Sequence, residues 1–525
     1  MDSVQPDARH GPHGSVSTPR HGEKRRGGTA DDAARLEAMG HRQELKRNFS
    51  MLSMLGLAFA ILNTWTALAA SITLALPSGG SSSVIWGLVV AGLARRVPLR
   101  VSHGRYVTGW INVCGWVALS ATGPLLGSTF LVNTIALFNP SYDAKPWHQF
   151  LIYVGFALVA LVINALLTRL LPYFTRAAFF WSMTGFVVVV ITVLSCASPH
   201  FQPGDVVYGQ FINNVGWPDG LAWLLGLLQG AFALTGFDAT AHMIEEIPDP
   251  QHQGPKIMLS CIGIGMVTGF IFLSGLLFSV DNIDNVLGAA WGPLLEIFMQ
   301  ATKSKAGSTC LLVFPLLCMV FTTTTLMCTS TRMSYAFARD GGMPFSRFFS
   351  RVHSTLEVPL NALFWTVAWV IVFGCIFLGS SSTFNAIAAA SVVALGLTYA
   401  IPPAVHLARG RNMLPDNRPF KLPGALGWVL NLVGILWTAL TTVLFVFPPA
   451  IPVTASNMNY CIVAFGVMLL IAGGTWVLDG RKHYRGPQLD VQGLIDGKAV
   501  EGMEPAMAVD SSNKTQEAML AALES

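Results

Sequence analysis

From residue 49 onward the chain alternates between long apolar runs and short polar connections, and the runs set its architecture. A helix rises 1.5 Å per residue, so crossing a hydrocarbon core of about 30 Å takes roughly 20 mostly apolar residues. Runs of that length cover residues 49–76, 107–137, 150–171, 177–197, 221–247, 257–280, 308–331, 360–379, 384–405, 428–447 and 460–478. A shorter run, 84–94, meets Arg95 and Arg96 after about half a membrane thickness. The pattern predicts an all-α polytopic membrane protein of about twelve transmembrane helices, with helix 2 truncated.

Loop charge supports counting the short run as a crossing. Lys and Arg accumulate in short loops on the cytosolic side. With twelve crossings and the N-terminus inside, that side collects Arg95, Arg96, Arg100 and Arg105, the Arg332–Arg351 region and the Arg409–Lys421 loop, while the other side holds only Lys145, Lys303 and Lys305. Leaving out helix 2 would put both arginine-rich regions outside. Both termini are therefore expected in the cytosol, around a transmembrane domain at 49–480. The polar, Gly-, Pro- and Arg-rich residues 1–48 are expected to be a disordered tail, and 481–525 a second cytosolic tail.

Composition agrees. The chain is 52% apolar and 11% charged, against about 25% charged in soluble domains. A nucleic-acid binder, a disordered chain and a disulfide scaffold are excluded. The eight cysteines all lie in apolar runs without metal-ligand spacing, so they read as small hydrophobes, and neither a metal nor a cofactor is expected.

The chemistry is concentrated in one span. Asp238 lies deep in 221–247, and His242 follows one helical turn later on the same face. A carboxylate at that depth costs about 2.5–3.5 kcal/mol on insertion scales, so it lines a polar cavity or finds a partner. Glu245 and Glu246 fall where the helix should emerge, and read as a solvated end. The first span is over-long and carries Asn63, Thr64, Trp65, Thr66 and Ala67 at mid-depth; the sixth carries Leu234, Thr235, Gly236 and Phe237 just before Asp238. Two interrupted helices leading two successive five-span blocks is the pattern of an inverted-repeat transporter.

Free backbone amides near Ala67–Ala70 would attract a carboxylate, Asp238 would oppose an ammonium, and Trp65 and Phe237 would cover the pocket. The substrate is thus expected to be a small zwitterion or cation. Thr322, Thr323, Thr324 and Thr325 offer a sodium site, or merely bond backbone and pack helices. Asp238 and His242 offer a proton site. A rival intramembrane enzyme would need His242, Glu245 and Glu246 as one cluster. A channel and a non-transporting receptor complete the alternatives.

The stretches TRMSYAFARDGGMPFS (331–346), GFDATAHMIEEIPDP (236–250), ALPSGGSSSVIWGLVVAG (75–92) and RGRNMLPDNRPFKLP (409–423) resemble fungal permeases of the amino acid, polyamine and organocation superfamily, nearest the γ-aminobutyrate and choline branch. The resemblance implies a five-plus-five inverted-repeat fold like that of the leucine transporter, proton-coupled import across the plasma membrane (with the vacuolar membrane as alternative), and γ-aminobutyrate as substrate, with choline second. It places the helix breaks at 63–67 and 234–238, and makes the cytosolic segment 332–343, with Arg332, Arg339 and Asp340, a gate or fold element. One departure stands out: the acidic, Tyr/Pro/Gly-containing stretch that follows helix 2 in the family is missing between Gly92 and Trp110.

Overall fold

A computed structural model describes residues 49–94, 105–139, 141–379, 381–411, 420–454 and 457–484. The tail at 1–48, nearly all of 481–525, and the loop arginines Arg95, Arg96, Arg100 and Arg418 lie outside those residues. The described chain is helical, with one isolated β-bridge between Ser78 and Asn213.

Numbered by crossing, α1 comprises α1a (Met51–Leu62) and α1b (Thr64–Ala75), followed by α2 (Gly80–Ala94), α3 (Tyr106–Phe138), α4 (Pro146–Leu166) and α5 (Leu171–Ala197). The second block holds α6a (Asp219–Ala233), α6b (Ala239–His242), α7 (Pro250–Phe278), α8 (Lys305–Arg339), α9 (Leu360–Gly379) and α10 (Ser381–Ala408), and α11 (Gly424–Leu444) and α12 (Cys461–Thr475) follow. Among the described residues, ten helices are long and apolar enough to cross a membrane; the two remaining positions are the short α2 and the interrupted α6.

The arrangement carries the repeat. Helix 1 packs on 6, 2 on 7, 3 on 8 and 4 on 9, so equivalent members of the two blocks meet each other, as a pseudo-twofold axis between inverted halves requires. Helices 2 and 6a approach closely because both contribute glycine: a Cβ on Gly230 would lie 2.3 Å from the carbonyl oxygen of Gly87.

Three boundaries differ from the hydropathy reading. Helix 2 begins four residues early, because Ser81, Ser82 and Ser83 are buried with their hydroxyls on the carbonyls of Val206, Gly79 and Ala75. Its 15 residues span about 22 Å, still less than the core of a bilayer. The run 221–247 is not one helix: the backbone turns at 234–238, and only Ala239–His242 and a 3-10 turn at Ile244–Glu246 follow. Helix 8 continues past Thr331 to Arg339, so Arg332 and Arg339 are helical residues, not loop residues.

Candidate functional site

Helix 1 breaks at a single residue. Asn63 takes left-handed angles (φ 33°, ψ 51°), which asparagine tolerates better than other residues bearing a Cβ. Its amide closes α1a on the Phe59 carbonyl, while its own carbonyl receives the amides of Thr66 and Ala67. Among the described residues, the amides of Thr64 and Trp65 take no carbonyl. The open helix start expected at Ala67–Ala70 therefore lies three residues earlier, because the break is one residue long.

The Asn63 side chain is held from both sides. Ser182 of α5 donates to its Oδ1 (3.0 Å), and its Nδ2 reaches Thr322 Oγ1 of α8 (3.4 Å). Trp65 donates its indole N–H to the same Ser182 (2.8 Å) and packs edge-on against Phe272 (5.1 Å). Trp65 is fully buried in this conformation. Thr66 bonds the Asn63 carbonyl.

Helix 6 breaks over Leu234–Asp238. Gly236 has φ +97°, and a Cβ there would lie 2.9 Å from Ile61 Cγ2 at the end of α1a. We expect Gly236→Ala to lose about 1–3 kcal/mol of stability through backbone strain; an unchanged melting temperature of the purified protein would contradict this. The two breaks are tied together by Thr64 Oγ1 to the Ala233 carbonyl (3.4 Å) and Gln229 Nε2 to the Leu68 carbonyl (2.8 Å).

At the second break Asp238, 3% exposed, is clamped on both oxygens. Oδ1 accepts the Tyr399 hydroxyl from α10 at 2.5 Å, and Oδ2 pairs with His242 Nε2 at 2.9 Å. The Tyr399 hydroxyl also accepts the Gly236 amide (3.3 Å), and its ring lies 4.8 Å from that of Phe237. The Trp116 ring of α3 meets His242 edge-on at 5.5 Å. Asp238, His242, Gly236 and Phe237 are therefore brought together, with Tyr399 and Trp116, which sequence reading missed. The signal for Tyr399 was a phenol inside an apolar span, whose O–H needs a partner.

The threonine run has each hydroxyl donating to a backbone carbonyl: Thr322 to Ala60, and Thr323, Thr324 and Thr325 to the carbonyl four residues back. Only Thr322 reaches helix 1. Thr322 thus ties α8 to α1a, and the other three hydroxyls bond within α8.

Below the site, the expected solvated end is built otherwise. Glu246 pairs with Arg332 Nε at 3.0 Å, with both side chains at most 5% exposed, and Glu245 takes the Arg339 guanidinium through both oxygens (2.7 and 3.3 Å). The Glu246 carbonyl accepts the Phe49 amide, and Arg176 reaches Ser50. Helices 1a, 5, 6 and 8 are thereby fastened at one end of the bundle. A cluster of His242, Glu245 and Glu246 does not form, since each is engaged by another group.

The comparisons with known proteins agree with this architecture. The chain is 30% identical to the choline transporter of Saccharomyces cerevisiae over 84% of this chain and 83% of that protein. It is 29% identical to the amino-acid permease BAT1 of Arabidopsis thaliana over 86% and 95%, and 26% identical to amino-acid permease 2 of Neurospora crassa over 86% and 88%. The family model for amino acid permeases matches residues 46–469. An all-helical bundle, two helices broken at equivalent places and a match over most of the chain lead to one conclusion: the protein is an integral membrane protein that belongs to the amino acid permease family.

Proposed function

We propose that this permease is a secondary transporter importing a small amine that carries a positive charge, with γ-aminobutyrate as first candidate. The observation behind this is the buried carboxylate of Asp238 at the break of helix 6, with the break of helix 1 beside it, where among the described residues the Thr64 and Trp65 amides take no carbonyl. An ammonium would take Asp238, and a carboxylate the start of α1b, where the helix dipole favours negative charge. Asp238 and His242 form the proton-coupling pair, so binding and coupling meet at one carboxylate. The arginine-rich end, fastened by Arg332 and Arg339, is the cytosolic gate, and the plasma membrane is the proposed location.

A second reading, choline, has its own support. Phe237, Tyr399 and Trp116 gather aromatic faces and edges around Asp238, the surroundings that suit a quaternary ammonium, and a relative is named a choline transporter. The test is uptake of tritiated γ-aminobutyrate and choline by proteoliposomes with and without an imposed proton gradient. Saturable, gradient-driven accumulation of γ-aminobutyrate is expected. Choline accumulation alone would reverse the ranking, and binding with no accumulation of either would mark a receptor.

A further inference from the structure

Two serines of α8 behave unlike the other hydroxyl residues of that helix. Ser308, Thr309, Thr322 to Thr325, Thr329 and Thr331 all donate to an acceptor. Ser330 and Ser334 are fully buried, and among the described residues neither hydroxyl has a partner. A helical serine readily bonds the carbonyl one turn back, so hydroxyls that do not make that bond are available to another group. Four residues apart, they share one face.

The helix register shows what that face meets. Ser120 of α3 donates to the Leu326 carbonyl at 3.2 Å, and further along Phe337 packs on Trp110 at 5.7 Å. These anchors run the helices antiparallel and set Trp116 level with Ser330 and Asn112 level with Ser334. Trp116 Nε1 and Asn112 Oδ1, one turn apart on α3, are themselves buried and without partners among the described residues. On the third side the Asn112 amide reaches Thr398 Oγ1 of α10 (3.3 Å), next to Tyr399. At its inner end the seam touches the coupling pair, through the Trp116 ring on His242; toward its outer end lies Arg339 with Glu245.

Each buried polar atom left unmatched costs about 1–3 kcal/mol, and folded proteins remove such costs with bound water. Four such atoms along one seam call for more than one water. We propose that the seam between α3 and α8, flanked by α10, binds a file of water molecules running from His242 toward the arginine-rich end, and that this file carries protons away from the Asp238–His242 pair. The proton role rests on the transport reading above; the bound water does not.

Radiolytic hydroxyl-radical footprinting of the purified full-length protein tests the water directly, because radicals form from bound waters. Trp116 and Trp65 are equally inaccessible to solvent, but the Trp65 N–H is taken by Ser182. Trp116 should be modified about tenfold faster than Trp65, and the double variant Ser330→Val with Ser334→Val should bring it down to the Trp65 level. Equal slow modification of both tryptophans in the unaltered protein overturns the proposal whether or not the variant folds. So does fast modification of Trp116 that persists in the variant. In liposomes holding a pH-sensitive dye, potential-driven proton entry should fall several-fold in the variant; unchanged entry overturns the proton role. Footprinting needs no substrate, so its failure is distinct from a failure of uptake.

Discussion

Asp238→Asn should reduce gradient-driven accumulation about a hundredfold while leaving expression and melting temperature near those of the unaltered protein. Removing one member of a buried, hydrogen-bonded charge pair costs about 2–5 kcal/mol, and 1.4 kcal/mol is a factor of about ten. Asparagine keeps the size of the side chain and an oxygen for the Tyr399 hydroxyl, which now stands 2.5 Å away, so the packing around the break is retained. What is lost is the negative charge that holds His242 and that the proposed function sets against the ammonium of the substrate. Uptake by Asp238→Asn within a few-fold of normal would reduce Asp238 to a structural residue joining helices 6 and 10.

The second large effect is on stability. Glu246→Gln should destabilise the purified protein by about 3–5 kcal/mol, because it leaves the Arg332 guanidinium, 3% exposed, without its counter-charge. The double change Arg332→Met with Glu246→Leu should recover most of that loss, since apolar replacement of a buried ion pair is often neutral. The same double variant should still transport poorly if the proposed gate is right, because the pair fastens helix 6 to helix 8 at the end where that gate would open. Thermal unfolding in detergent and uptake, measured on the same preparations, separate these effects. A Glu246→Gln protein that melts like the unaltered one would contradict the account of a desolvated pair. Normal uptake by the double variant would remove Arg332 and Glu246 from the gate.

The outcome at these residues shows where linear sequence reading reaches and where it stops. Hydropathy ended the eighth span at Thr331 because Arg332 is charged, yet the helix continues to Arg339; the neutralising carboxylate lies 86 residues earlier in the chain. Glu245 and Glu246 read as a solvated end for the same reason. In the first span, Trp65 read as a pocket residue, and the structure commits its N–H to Ser182, 117 residues away. Tyr399 showed only as a phenol inside an apolar span, because the partner it bonds, Asp238, is 161 residues distant. Helix 2 was read short because serines that bond backbone carbonyls within a bundle score as polar.

By itself the sequence determined the membrane class, the order of the apolar helices, the two interrupted helices and the buried carboxylate. Each of these follows from a local rule: a helix in lipid must be apolar over a fixed length, and any polar group inside it signals itself by its cost. The tertiary structure alone decided which side chains share that carboxylate, which arginines neutralise the two glutamates and which buried hydroxyls are left facing a seam. Those outcomes depend on contacts between helices far apart in the chain, where direction and distance, not residue type, set the energy.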